Sequence, residues 1–504
     1  MQTSKYILAL DLGTTGNRAF IFDAEGKIVG NAYKELSQYY PQPGWLEHNP
    51  EEIWHDTCWV IQTAIANANP PIPPTQIAAI GISVQRETCL LWDKTTGKPI
   101  HHAIVWQDRR TAAFCYELQA KGYTSEVYNR TGLVIDAYFS ATKLKWLLDD
   151  VKKHIPHLHL NNILAGTIDT WILWKLTGGK IHATDHSNAS RTMLMNLTTA
   201  VWDESMLDLF QIPVQILPKI QPCLSYFGVT DKDIFGVEIP ITAMLGDQQA
   251  ALFGHGCSKP GLVKCTYGTG SFLVANTGSE IVRTSQKLIS TIAWTETNSS
   301  NSLDISYALE GSMFTSGACI QWLRDSLKLI KTASETETMA NQVTDNGGVY
   351  FVPALSGLGA PHWDMNARGA FLGITGGTQP AHIVRAVLEA IAYQVQEVVT
   401  AINVSSATPV QRLVVDGGVC ENNFLMQFQA DILGIPVERP VIRDVTVQGA
   451  AFAAGLTVGL WKSYAELVKT RQIERIFVPT AAASSANFST WQKAVERAKN
   501  WREV

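Results

Sequence analysis

No sign of charge dominates this 504-residue chain: 40 basic residues stand against 45 acidic ones, for a formal net charge of −5. The two signs are interspersed, which argues against a nucleic-acid or membrane-surface binder working through bulk positive charge. An anionic small ligand stays compatible, because local donors can hold one without a basic protein. Cysteine is sparse: eight residues are scattered with no Cys-x-x-Cys and no tight framework, so reduced, mostly buried thiols are expected. Long apolar runs are missing as well. Residues 450–461 form a Gly-rich stretch of about 12, too short to span a bilayer. The run at residues 6–10 is too short for a signal peptide's apolar region, ends at an acid and has no cleavage site. A soluble, cytoplasmic protein is expected. Gly (37) and Pro (21) are present at ordinary shares, so collagen-like and disordered readings fail. Two phosphate signatures are also missing: the P-loop pattern G-x-x-x-x-G-K-[ST] and the protein-kinase set. Any phosphoryl transfer must use another scaffold.

What is present is 46% hydrophobic residues and 17% charged ones, enough for two to four domains at roughly 150 residues each. The chain opens as an apolar run at residues 6–10, a turn at 11–18 and a second strand at 19–23. A similar strand, Gly/Thr turn and strand recur half a chain later at residues 261–275, which suggests a duplicated architecture. Between them, strand patterns (77–84, 413–415) alternate with helical periods at 50–68, 141–151, 383–402 and 423–433. That order means an α/β fold. The domain break is expected near residues 253–259, dividing the chain into 1–253 and 254–504.

Several turns carry possible chemistry. In Asp11-Leu12-Gly13-Thr14-Thr15-Gly16-Asn17-Arg18, glycines let the backbone approach closely, and N–H groups and Thr hydroxyls can surround a phosphate. An acid beside a phosphate needs a cation between them, so Asp11 suits a Mg²⁺ partner and Arg18 a phosphoryl oxygen. An ordinary hairpin with an N-terminal Asp would read the same way. Thr266-Tyr267-Gly268-Thr269-Gly270-Ser271 offers a second donor-rich turn. Asp416-Gly417-Gly418 follows a strand, with Asn422 opening a helix; this could admit a purine or be a plain tight turn. Asp247 and Gln248 follow the strand at 241–245, where open α/β sheets bind ligands. Asp247 could take a proton from a substrate hydroxyl or simply cap a helix. Arg86 and Glu87 could hold vicinal hydroxyls or form a surface ion pair. His154, His157 and His159 flank a proline and lack an i, i+4 pair, so a solvated loop is expected there rather than zinc.

Taken together, the two Gly/Thr turns and the Asp-Gly-Gly turn resemble the two phosphate motifs and the adenosine motif of the actin-like ATPase superfamily. Trp45-Leu46-Glu47-His48, residues 129–136, Gly166-Thr167-Ile168-Asp169-Thr170-Trp171, Asn188-Ala189-Ser190-Arg191-Thr192-Met193, residues 246–252 and Gly357-Leu358-Gly359-Ala360-Pro361 narrow the resemblance to the FGGY carbohydrate kinases, and to their glycerol-phosphorylating members. It runs from about residue 5 to 500. The resemblance implies two ribonuclease-H-like domains with ATP and substrate in the cleft between them. It implies that residues 1–253 bind substrate and phosphate and residues 254–504 bind the nucleotide. Glycerol would be held by Arg86, Glu87, Trp106, Tyr138, Asp247, Gln248 and Phe272. The nucleotide would meet Thr14, Thr15, Gly16, Arg18, Thr269, Gly317, Gln321, Gly418 and Asn422, with Mg²⁺ near Asp11. Asp247 would be the base for in-line transfer from ATP, giving sn-glycerol 3-phosphate. A kinase for another small polyol or ketose of the same family, such as xylulose, ribulose or erythritol, is the alternative reading. The resemblance further implies a homodimer or homotetramer.

The chain departs from the family pattern in places. Leu12 stands where Gln is commoner. Gly16 stands where many members have a Ser whose hydroxyl faces the nucleotide, so one fewer phosphate contact is expected there. Ala137 replaces a usual Pro and should leave that backbone less constrained. Glu238 stands where enteric-type members present an Arg to fructose 1,6-bisphosphate, so that sugar phosphate should not inhibit. Residues 229–236 also lack the His that is phosphorylated in some Gram-positive relatives.

Overall fold

The structure, a computed structural model, describes residues 5–156, 158–480 and 485–502. Its centre is a single 13-stranded mixed sheet. In chain order the strands are β1 (Tyr6–Leu12), β2 (Gly16–Phe22), β3 (Ile28–Glu35), β4 (Ile77–Val84), β5 (Leu224–Val229) and β6 (Pro240–Gly246). The second half adds β7 (Leu262–Tyr267), β8 (Ser271–Gly278), β9 (Ile289–Thr297), β10 (Leu303–Met313), β11 (Arg412–Asp416), β12 (Val437–Pro440) and β13 (Ile473–Phe477). Their spatial order is β13-β12-β11-β7-β8-β10-β9-β5-β6-β4-β1-β2-β3.

That order contains the same six-strand plan twice. β3-β2-β1 are antiparallel, β1-β4 and β4-β6 parallel, and β6-β5 antiparallel. Likewise β10-β8-β7 are antiparallel, β7-β11 and β11-β12 parallel, and β12-β13 antiparallel. The recurrence of the strand–turn–strand unit therefore reflects a recurring topology. The extra strand β9 joins the halves, through one residue pair, Leu224 with Glu296.

The helices are α1 (Pro50–Ala66), α2 (Ser140–His154), α3 (Asp247–Gly254), α4 (Pro380–Ser405), α5 (Asn423–Leu433) and α6 (Val445–Thr457), with shorter ones between. Local chemistry sets α1: Asn49 accepts the Glu51 N–H, Pro50 takes the first turn, and Glu51 and Glu52 meet the helix's positive end. The Gly-rich apolar stretch near residue 450 belongs to α6, which comes from the second half yet packs against α3, β1 and β4 of the first. The crossing is close enough that a Cβ at Gly449 would lie 1.8 Å from the Ala250 carbonyl oxygen. Only glycine allows that backbone approach.

A smaller four-stranded sheet (Glu47–His48, Cys89–Asp93, Ala103–Ile104, Ile163–Thr167) sits over the first half. With α2 it encloses an apolar cluster that includes Trp106, Tyr138, Phe272 and Phe314. The second strand begins at Gly16 rather than Ala19, because Gly16, Asn17 and Arg18 already pair with Glu35, Lys34 and Tyr33 of β3. His154 closes α2 and meets Asp150 at 2.8 Å rather than lying in a loop. His157 lies outside the described residues. Among the described residues no group of three or more His, Cys, Asp or Glu could hold a metal ion by itself. No helix among them is long and apolar enough to cross a membrane. All eight cysteines are free, and all but Cys58 are buried.

Candidate active site

The first Gly/Thr turn joins β1 to β2, and its shape is held from outside. Gln38 Nε2 donates to the Thr14 carbonyl at 2.8 Å, Gln85 Nε2 to that of Gly13 at 3.2 Å, and the Leu36 N–H to that of Thr15 at 3.0 Å. Antiparallel register sets Asp11 opposite Arg18, and Arg18 Nη1 donates to Asp11 Oδ2 at 3.1 Å. Burial pushes the Asp11 carboxyl up to about 6, with Arg18 pulling the other way. Arg18 thus already carries an acidic partner, and Asp444 is a second at 3.6 Å.

The second turn joins β7 to β8 in the same manner. Its floor is Lys264, a fully buried ammonium that donates to Gln248 Oε1 and, at 2.9 Å, to Thr266 Oγ1. Behind it, Asp416 at the end of β11 accepts from His255 Nε2 at 2.6 Å. Burial works against the Asp416 charge, but the His255 hydrogen bond and Lys264 hold its carboxyl below the usual range.

Arg86 and Glu87 follow the end of β4 and lie fully inside the molecule, at 3% and 2% exposure, so they are no surface ion pair. Their mutual contact is long, with Arg86 Nε 3.9 Å from Glu87 Oε1. Arg86 Nε instead meets Asp247 Oδ1 at 3.2 Å. Its stem lies over Gly246, where a Cβ would come within 2.7 Å of both Cγ and Cδ. Asp247 opens α3 at the carboxyl end of β6, and its Oδ1 also accepts the Gln248 N–H at 2.7 Å. Its Oδ2 has no hydrogen-bond partner among the described residues, and the side chain is 27% exposed, toward the cleft.

Three rings wall the space in front of this carboxylate. Trp106 stands edge-on to Tyr138 and to Phe272, each with centroids 5.6 Å apart. Trp106 Nε1 donates to Thr14 Oγ1 at 2.9 Å, which ties the aromatic box to the first turn. Tyr138 is fixed from behind: fully buried Lys143 donates to the carbonyls of Ala137, Tyr138 and Phe139 at 2.8, 2.6 and 3.0 Å. That clamp constrains the backbone at Ala137, where the sequence suggests extra freedom.

One cavity of about 480 Å³ gathers these parts: Asp11, Thr14, Thr15, Arg18, Arg86, Glu87, Trp106, Tyr138, Asp247, Gln248 and Phe272 all line it. A second, also about 480 Å³, shares Thr269, Gln321 and Gly418 with the first and extends past Gly317 to Asn422. Asn422 is partly committed already, since its Oδ1 caps α5 at Leu425 N and its Nδ2 donates to Thr336. Gly16 stands apart from both cavities. A Cβ there would meet the Tyr33 ring at 2.5 Å and the Lys34 carbonyl oxygen at 2.6 Å, so a side chain at this position heads into the β2–β3 pairing.

Two adjoining cavities, one holding both Gly/Thr turns, the aromatic box and the Asp247 carboxylate and the other running from the second turn past Gly317 to Asn422, suit transfer between a nucleotide and a small acceptor. Family comparison agrees. Residues 6–254 match the N-terminal domain model of the FGGY family of carbohydrate kinases, and residues 263–458 match its C-terminal domain model. The chain belongs to the FGGY family of carbohydrate kinases. Within that family it is 73% identical over 505 residues to a glycerol kinase of Trichormus variabilis, covering 99% of this chain and 100% of the relative. It is 53% identical to glycerol kinase 2 of Thermotoga maritima, over 99% of this chain and 100% of that one. Among solved structures, Plasmodium falciparum glycerol kinase with ADP is similar at a TM-score of 0.88 and 36% identity, covering 98% of both chains. Motif reading of this FGGY chain finds most of the cavity lining but misses the groups behind it: Lys264, Lys143, Glu310 and the side chain of Arg191. Arg191 lies in a recognised motif, but nothing in that motif signals its partner.

Proposed function

We propose that this chain transfers the γ-phosphoryl group of ATP to a terminal hydroxyl of glycerol, giving sn-glycerol 3-phosphate and ADP. The observation that carries this reading is Asp247: its Oδ2 has no hydrogen-bond partner among the described residues, and the residue lines the same cavity as the aromatic box and both Gly/Thr turns. In the proposed step Oδ2 accepts the proton of the terminal hydroxyl as its oxygen attacks the γ-phosphorus. The bond from that phosphorus to the β,γ-bridging oxygen breaks, and ADP leaves with that electron pair. Glu87, and Arg86 through the Nε that faces Asp247, would hold the remaining hydroxyls, while Trp106, Tyr138 and Phe272 cover the carbon chain and limit its length. Thr14, Thr15 and Thr269 would surround the phosphates, and Gly317, Gln321, Gly418 and Asn422 the nucleoside.

Mg²⁺ fits this site through Asp11. Burial pushes that carboxyl up to about 6, so it is mostly ionised at neutral pH and able to meet a cation, and phosphate oxygens and waters would complete the shell. The lack of a ready-made cage among the described residues agrees with such shared ligation. When bound, the ion neutralises phosphate charge. We further propose that residues 1–253 and 254–504 act as the two domains flanking the cleft, and that the enzyme works in the cytoplasm as a homodimer or homotetramer. The test is product identification after incubation with Mg-ATP and glycerol, xylulose, ribulose or erythritol. Glycerol 3-phosphate as the dominant product supports the reading; preferred turnover of a longer acceptor overturns the pocket argument.

A further inference from the structure

Two buried residues outside the cavity lining, Glu310 and Arg191, are hydrogen-bonded to the charged residues of the acceptor site. Glu310 lies on β10 in the second half of the chain and is fully buried. Its carboxylate grips Arg86 with both oxygens, Oε2 to Nη1 at 2.5 Å and Oε1 to Nη2 at 2.9 Å. The same Oε1 accepts from Arg191 Nη2 at 3.0 Å and from Ser312 Oγ at 2.8 Å. Arg191 Nε then donates to Glu87 Oε1 at 2.7 Å. The result is an alternating chain, Arg86–Glu310–Arg191–Glu87, with charges that cancel and ends that reach the acceptor cavity.

The geometry has a chemical consequence. An arginine beside an aspartate tends to meet it with two parallel hydrogen bonds, which would occupy both carboxylate oxygens. Here Glu310 engages both terminal nitrogens of Arg86, and the Arg86 nitrogen that meets Asp247 Oδ1 is Nε. Oδ2 is left for a substrate proton. Burial alone would favour a neutral Glu310, but Arg191 and Arg86 hold its carboxyl at about 2, so it stays ionised at working pH.

We infer that Glu310, acting with Arg191, is the positioning residue of the acceptor site: it keeps Arg86 from closing over Asp247 and orients Glu87 toward the substrate. This rests on the glycerol kinase reading above. It also means that a residue of the second half sets the polar wall of a pocket built mainly by the first.

The test compares the full-length wild type with Glu310→Gln, varying glycerol at saturating Mg-ATP and then the reverse. Loss of a charged hydrogen-bond partner predicts a fall of about 10-fold or more in kcat/KM for glycerol, with a KM for ATP within about 3-fold of wild type. A merely structural role would lower Tm and active fraction but move neither KM selectively. Unchanged kcat/KM for glycerol, or equal losses for both substrates, overturns the inference. Should Glu310→Gln fail to fold, Ser312→Ala removes one donor to Oε1 without changing charge. A selective rise of about 2-fold or more in glycerol KM then supports the assignment, and wild-type values overturn it. A wild type with no glycerol-dependent turnover overturns the underlying reading, and this one with it.

Discussion

Gly246→Ala adds one methyl group beside the best-anchored arginine of the site. The new Cβ would stand 2.7 Å from Arg86 Cγ and Cδ and 2.9 Å from Gln249 Oε1, where ordinary van der Waals contact begins near 3.4 Å. The stem must therefore move by about 0.7 Å or more, and little is free to yield. Arg86 is held by Glu310 at 2.5 and 2.9 Å, Tyr138 at 3.2 Å, Gln249 at 3.3 Å and Asp247 at 3.2 Å. Overpacking of this kind costs about 1–3 kcal/mol, a fall of about 1–3 °C in Tm for a chain of this length. The effect on rate should be larger, because misplacing a positioned group by about 1 Å can cost 10²-fold. Steady-state turnover with Mg-ATP and glycerol, together with a thermal melt, measures both. A variant with wild-type kcat and glycerol KM would refute the argument that Arg86 sits where the chemistry needs it.

Further outcomes follow from the same geometry. Asp11 ionises near 6 in the folded chain against 3.8 for an unperturbed carboxyl, so its stabilising contribution is present below about 4 and lost as pH rises through 6. A cation must displace that proton, so the KM for Mg-ATP should rise below about pH 6, by up to ~10-fold per unit, and lose this dependence in Asp11→Asn. A pH-independent wild type would contradict it. Gly16→Ser should lower Tm by crowding Tyr33 and Lys34 without tightening ATP; a lower ATP KM would show that the side chain reaches the nucleotide. Glu238 is exposed beside Lys232 at 3.6 Å, and fructose 1,6-bisphosphate at millimolar concentration is expected to leave the rate unchanged.

The parts of this molecule that read directly from sequence are those where local chemistry decides. The turns after β1 and β7 need glycine and threonine at fixed offsets, and α1 and α5 announce themselves through Asn49 and Asn422 caps. The doubled topology shows as a repeated strand–turn–strand unit, because each half uses the same turn. Other features depend on register and crossing, which no local pattern encodes. Glu310 matters because β10 aligns it with Val274 and Ile289 and turns its side chain to the first half. Lys264 and Lys143 look like ordinary strand and helix lysines until burial gives each specific oxygen partners. The strand boundary at Gly16 was missed by three residues because a Gly-Asn-Arg stretch reads as turn, while its partners in β3 make it strand.

Asp247→Asn tests the central claim most directly. The amide keeps the shape and the acceptor at Oδ1 but cannot take a proton. With Mg-ATP and glycerol, ADP release in the variant should fall by about 10²-fold or more while equilibrium ATP binding stays at wild-type strength. Glycerol-dependent turnover near the wild-type rate would show that another group takes the proton, and the assignment of Asp247 as base would be wrong.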